Sequence, residues 1–161
     1  MATTETEQIQ GAALLTRLRI SGVLLFIILS LIPIVVFLWP QNVIGNVLFT
    51  LHVPDIFSGI ISLSLAGSPI TKLEYLQKHA FFSRFFSFVC VILMAVVIVV
   101  RVFRLIDSFK ALPGTEEREQ ILSEFLGAII AVISVIINLF IVVVAGQVRR
   151  LSQRIQEQKN D

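Results

Sequence analysis

Two ionisable residues inside an otherwise apolar stretch, His52 and Asp55, are the most informative positions in this sequence. They are three residues apart, so on a helix their side chains share one face. The same face continues through Gly59 and Ser62. An aspartate at the centre of a bilayer costs about 2.5–3.5 kcal/mol on insertion scales, and such residues face a bundle interior or a water-filled cavity. The pair therefore predicts a proton- or ion-responsive site.

Two structural interpretations of the same pair are also open. A helix broken near Pro54 would let His52 and Asp55 bond to freed backbone groups close to the membrane interface. Alternatively, the whole stretch 43–66 rests among the lipid headgroups and never crosses the bilayer. Pro33 predicts a kink of the same origin in the preceding apolar run.

Nothing else in the sequence predicts catalysis or a bound cofactor. Ser58 lies near His52 and Asp55, but spacings of three along one helix do not form a nucleophile elbow. Two histidines and one cysteine are too few for an ordinary structural zinc site. The net charge of +2 offers no dense basic patch for nucleic acid. We therefore expect no enzyme activity, no metal and no cofactor, with membrane lipids and other transmembrane helices as partners.

The polar residues interrupt long charge-free runs that are typical of membrane helices. Of the 161 residues, 56% are hydrophobic and 15% are charged, whereas about 25% are charged in soluble domains. A helix crosses the hydrocarbon with about 20 apolar residues. The run 129–144 lacks the alternation of a barrel strand. We predict an all-α integral membrane protein, a four-transmembrane-helix bundle with spans at about 20–39, 43–66, 85–103 and 125–147. Three spans plus an interfacial segment are the alternative.

The distribution of basic residues favours four spans with both termini in the cytoplasm, because cytoplasmic segments carry an excess of Lys and Arg. With four spans, nine basic residues lie on the side of the termini and four on the other; with three spans the division is six against seven. The resulting domains are a partly amphipathic cytoplasmic tail 1–19, a membrane domain 20–147 and a cytoplasmic helical tail 148–161. Arg101 and Arg104 are expected to extend outwards from the end of the third span.

The last span and its extension carry two candidate packing surfaces. The first, the helix-packing seam, is a row of small or polar residues on one face: Gly127, Ala131, Ser134 and Asn138. Small residues let helices approach closely in lipid, and Asn138 can either bond across such a contact or bind a substrate. The second, the C-terminal stripe, is apolar and consists of Val148, Leu151 and Ile155. This stripe could dock on a partner or self-associate.

Packing surfaces without reaction chemistry indicate a small non-enzymatic membrane protein. We expect an accessory or scaffold subunit of a membrane complex that acts through helix–helix packing. The alternative is a component of an oligomeric channel or transporter, in which His52 and Asp55 line a polar path. The two hypotheses differ in whether the pair serves structure or transport.

Overall fold

The computed structural model describes residues 5–69, 72–110 and 115–160, and every regular element in these ranges is helical. In chain order these residues form α1 (Glu5–Leu29), α2 (Leu31–Leu38), α3 (Val43–Thr50), α4 (Val53–Ala66), α5 (Leu73–Lys110) and α6 (Thr115–Asn160). Four segments of the described chain are long and apolar enough to cross a membrane, namely α1 with α2, α3 with α4, α5, and α6. The prediction of an all-helical chain with four such segments is confirmed.

Successive segments run antiparallel, so the described ends of α1 and α6 lie together. Along the α5–α6 contact, Gln77 bonds to Gln156 and Arg101 bonds to Glu124. We call the end that contains Gln77 and Gln156 the terminal end. The end that contains Arg101 and Glu124 is the distal end.

The segment of α3 and α4 runs alongside α1 and α5 instead of lying across one end of the bundle. Close contacts between α1 and α4 form at two glycines. A Cβ on Gly22 would lie 2.9 Å from Leu63 Cγ, and one on Gly59 would lie 3.0 Å from the Phe26 ring. Small residues permit helices to approach this closely. The second segment therefore packs side by side with the others as part of one helical bundle.

Each of the first two segments is interrupted near a proline. Because Pro33 lacks an N–H and its ring crowds the carbonyl of the preceding turn, the helix is interrupted at Ser30, between α1 and α2. The Ser30 hydroxyl donates to the Ile27 carbonyl over 2.6 Å. Pro54 lies in the first turn of α4, where a missing N–H leaves no helical hydrogen bond unmade. The break before α4 places His52 at its start, inside the bundle.

The tails predicted on either side of the membrane domain are continuous with its helices. Residues 5–19 belong to α1, and residues 148–160 belong to α6. The C-terminal stripe packs with Leu14 and Leu15 of α1 and with Leu76 of α5 in one hydrophobic cluster. This stripe is therefore covered by helices of the same chain.

Candidate functional site

A buried polar cluster lies where α4, α5 and α6 meet, and we call it the central cluster. Its members are at most 2% exposed: His52, Asp55, Ser58, Ser87, Ser134 and Asn138. Ser134 and Asn138 lie about halfway along α6 between Glu124 and Arg149. At about 1.5 Å of rise per residue, this places them roughly 15–22 Å from either charged boundary. The central cluster is thus as far as possible from both ends of the apolar segment.

The Asp55 carboxylate is held by side chains from two helices. Ser134 Oγ donates to Oδ2 over 2.8 Å, and Asn138 Nδ2 donates to Oδ1 over 2.9 Å. His52 Nδ1 lies 2.8 Å from Oδ2 and donates to it when that nitrogen carries the hydrogen. The buried thiol of Cys90 on α5 lies near this carboxylate. Both carboxylate oxygens have partners, which a buried carboxylate requires.

A chain of serine hydroxyls extends from Asn138 towards the terminal end. Asn138 Oδ1 accepts from Ser58 Oγ over 2.8 Å, and Ser58 Oγ lies 2.7 Å from Ser87 Oγ. One helical turn further on, the hydroxyls of Ser62 and Ser83 are 3.1 Å apart. Each hydroxyl can both donate and accept, so either serine can be the donor in the Ser58–Ser87 and Ser62–Ser83 hydrogen bonds, whereas the amide oxygen of Asn138 only accepts.

His52 supplies the one polar atom of the central cluster that has no partner among the described residues. Its Nε2 is buried and unpaired, and its ring centroid lies 6.1 Å from that of Phe49. Buried polar groups are rarely left unpaired. An imidazole nitrogen without a hydrogen-bond partner is able to gain or lose a proton without breaking an existing contact.

A second buried polar group, the distal cluster, surrounds the carboxylate of Glu124. Arg101 is fully buried and donates from Nη1 to Glu124 Oε2 over 2.9 Å and from Nη2 to the Gly45 carbonyl over 3.0 Å. Arg104 Nη2 lies 3.0 Å from Glu124 Oε1. The Arg101 guanidinium also stacks 4.4 Å from the centre of the Phe49 ring. One carboxylate therefore balances two guanidinium groups inside the bundle.

Asn42 ties the turn before α3 to this carboxylate. Its Oδ1 caps α3 by accepting from the Gly45 N–H over 3.0 Å, the usual role of asparagine at a helix start. Its Nδ2 donates to Ser123 Oγ over 3.0 Å and to Glu124 Oε1 over 2.9 Å. The turn and the start of α6 are therefore held as one unit.

The structure places several sequence-selected residues differently from expectation. Arg101 does not extend outwards, because Glu124 and the Gly45 carbonyl offer it partners inside the bundle. His52 and Asp55 bond to each other and to α6, and not to freed backbone groups at an interface. The distal cluster was not predicted from sequence. The sequence feature that could have indicated this cluster is the position of its charges, since Arg101 directly follows one charge-free run and Glu124 directly precedes the next.

The helix-packing seam of α6 faces α5 and α4 of the same chain. Ala131 packs in a cluster with Met94 of α5, and Gly127 lies against the Arg101 guanidinium. Its two polar members, Ser134 and Asn138, are those that bind Asp55. The seam is therefore occupied within the chain.

Gly127→Ala is expected to destabilise the bundle by about 1–3 kcal/mol, the usual cost of overpacking a core. A Cβ at this position would overlap the guanidinium of Arg101. This guanidinium is fully buried and is held by hydrogen bonds from both Nη1 and Nη2, so it cannot easily move aside. Gly146→Ala on the same helix is the control, because its Cβ would meet only Arg84 Nη1 at 3.9 Å. Unfolding in detergent by sodium dodecyl sulfate titration measures both; equal stabilities for the two variants would contradict the packing argument.

The described residues contain neither a hydrolase triad around Ser58 nor a cluster suited to a metal. The Ser58 hydroxyl bonds to Asn138 and Ser87 instead of His52. No group of three or more His, Cys, Asp or Glu side chains that could hold a metal ion occurs in the described ranges. Comparison of the chain with protein-family models, curated proteins and solved structures found no match.

Proposed function

We propose that this chain is a multi-pass membrane protein that binds and releases a proton at the His52–Asp55 pair, as a component of a proton-linked channel or transporter. The observation that carries the proposal is the fully buried Asp55 carboxylate, which is paired with the His52 imidazole about halfway along four apolar segments. The Nε2 atom of this imidazole has no partner among the described residues. Ionisable residues at such depth commonly mark ion pathways and proton relays.

The proton binds at His52 Nε2, because Nδ1 already shares its hydrogen with Asp55 Oδ2. With a neutral imidazole and an ionised carboxylate the pair carries one negative charge, and the added proton neutralises it. Ser134 and Asn138, which bind the carboxylate, carry no charge. The nearby cation, Arg101, stacks on the Phe49 ring and is paired with Glu124. The proton therefore supplies the charge balance that the low-dielectric interior favours.

Polar groups continue from the pair towards both ends of the bundle. The hydroxyls of Ser58 and Ser87, followed by those of Ser62 and Ser83, lead towards the terminal end. At the distal end, an open cavity of about 830 Å³ is lined by Asn42 and Arg104, among others, and reaches the distal cluster. The Phe49 ring lies near both groups in that direction, with its centre 4.4 Å from the Arg101 guanidinium and 6.1 Å from that of the His52 ring.

The orientation that we propose places both termini in the cytoplasm. The nine-to-four division of basic residues supports it, because Lys and Arg accumulate in cytoplasmic segments. In this orientation the serine hydroxyls lead to the cytoplasm, and the open cavity beside the distal cluster faces the opposite compartment.

Reconstituted liposomes with an enclosed pH-sensitive dye test the proposal. We expect wild-type protein to dissipate an imposed pH gradient faster than protein-free liposomes. His52→Ala removes the proton-binding nitrogen and should reduce this rate at least about tenfold, as for loss of a proton-transfer group. His79→Ala is the matched control, because His79 is half-buried and stacks on Tyr75 near the terminal end. Wild-type protein that shows no excess flux in either direction of the gradient would overturn the proposal.

A second candidate, an accessory or scaffold subunit, is favoured by the complete hydrogen bonding of the two buried carboxylates. The oxygens of Asp55 and Glu124 all have partners, and such networks can fix a unique packing. The seam and the C-terminal stripe are covered within the chain, so a partner would have to bind the lipid-facing surface. No flux in wild-type protein, with a defined complex on native mass spectrometry, would favour this candidate.

A further inference from the structure

We infer that a groove between α1 and α6 binds the phosphate headgroup of an anionic membrane lipid. The groove has a volume of about 440 Å³, and its polar lining consists of three arginines and two glutamines: Gln10, Arg17, Gln147, Arg150 and Arg154. We call it the arginine groove. The inference depends on membrane insertion and is independent of proton binding.

The three guanidinium groups of the arginine groove lack a neutralising partner in the structure. Arg17, Arg150 and Arg154 are exposed, and in the described part of the chain none of them forms an ion pair with a carboxylate. No acidic residue lines the groove. Three like charges on two packed helices repel one another, and a bound anion would relieve this repulsion. Guanidinium groups match phosphate oxygens with paired hydrogen bonds.

The position of the arginine groove selects a lipid headgroup over a free anion. Arg17 lies just before the charge-free run that begins at Ile20, and Arg150 lies just after the run that ends at Val148. The groove is thus at the expected level of the headgroups.

The concentration of charge in the arginine groove exceeds what the orientation of the chain requires. Arg19, Arg84 and Arg149 also lie near the terminal end but do not line the groove. Arg149 instead lies over the Phe81 ring at 5.4 Å. An excess of cytoplasmic basic residues needs no particular arrangement, whereas convergence of three guanidinium groups on one cavity is what a phosphate requires.

Native mass spectrometry of the full-length protein tests this inference with an equimolar mixture of dioleoyl phosphatidylglycerol and dioleoyl phosphatidylcholine. We expect wild-type protein to retain phosphatidylglycerol preferentially. The triple variant Arg17→Gln, Arg150→Gln, Arg154→Gln should retain it at least about tenfold more weakly. The charge-matched control Arg19→Gln, Arg84→Gln, Arg149→Gln should stay within about twofold of wild type, because it loses only diffuse attraction.

Several outcomes would overturn the inference. Equal losses in both triple variants would show diffuse charge attraction instead of a site. Full displacement of the lipid by excess inorganic phosphate would identify a free-anion site. Equal retention of the two lipids by wild-type protein would exclude headgroup selection, and this last result does not depend on whether any variant folds.

Discussion

Glu124→Gln is expected to destabilise the protein by about 3–5 kcal/mol, the cost of breaking a buried ion pair by removing one partner. Arg101 is fully buried, and Arg104 is 19% exposed, so neither guanidinium can fully regain water. Both would lose their only carboxylate in the distal cluster. The glutamine offers one carbonyl oxygen, and its amide nitrogen would face a donor of Arg101, Arg104 or Asn42.

The reciprocal change, Arg101→Met, should cost markedly less than Glu124→Gln. Glu124 would keep Arg104 and Asn42 as partners, and a methionine side chain adapts to the vacated space beside Phe49. Glu119→Gln is the control on the same helix, since Glu119 is exposed and accepts only from Gln41; we expect a change below about 0.5 kcal/mol. Equilibrium unfolding in detergent ranks the three variants. Equal effects of Glu124→Gln and Glu119→Gln would contradict the distal cluster as a source of stability.

The helical segments were predictable because hydrocarbon imposes a simple rule on sequence. A charge-free run of about 20 residues has few alternatives to a membrane helix. The second segment was ambiguous, because His52 and Asp55 lower its apolar character. The prediction that this segment is the second of four spans rested on the nine-to-four distribution of basic residues and not on the composition of the segment itself.

The distal cluster could not be predicted, because its members come from three separate parts of the chain. Asn42 precedes α3, Arg101 lies late in α5 and Glu124 lies early in α6. A basic residue at the end of an apolar run ordinarily extends to the headgroups. Whether it turns inwards instead depends on a partner that only the packing of distant helices can supply.

Periodicity identified which faces of α6 are buried but not what buries them. The spacing of Gly127 and Ala131 indicates a closely packed face, and the same pattern fits a partner subunit or another helix of the same chain. The structure has α5 and α4 in this position. The predicted surface for a partner is therefore part of the protein's own interior.

Asp55→Asn is expected to abolish proton flux, to the level of protein-free liposomes, while leaving the bundle folded. An amide carries no negative charge, so a proton on His52 Nε2 would leave an unbalanced positive charge inside the bundle. Its shape is nearly that of the carboxylate, and its oxygen can still accept from Ser134. If the Asn138 amide turns over, its oxygen accepts from the new amide and the Ser58 hydroxyl accepts from its nitrogen, at the cost of the hydrogen bond from Asn138 Nδ2 to the Ser134 carbonyl. We therefore expect a stability loss of only about 1–2 kcal/mol.

The swap variant Asp55→Asn with Asn138→Asp separates the transport role of Asp55 from a structural one. In this variant the amide that replaces the Asp55 carboxylate donates to the carboxylate on α6 and accepts from His52 and Ser134. The hydrogen bonds between α4 and α6 are restored, and only the bond within α6 to the Ser134 carbonyl is lost. Stability should recover relative to Asp55→Asn, whereas flux should remain absent because the carboxylate no longer contacts the imidazole. If Asp55→Asn retains wild-type flux, or if the swap restores it, the His52–Asp55 contact is not the proton site. If Asp55 served only structure, flux would return together with stability in the swap variant. Stability that recovers while flux stays absent therefore supports a direct role of Asp55 in proton transport.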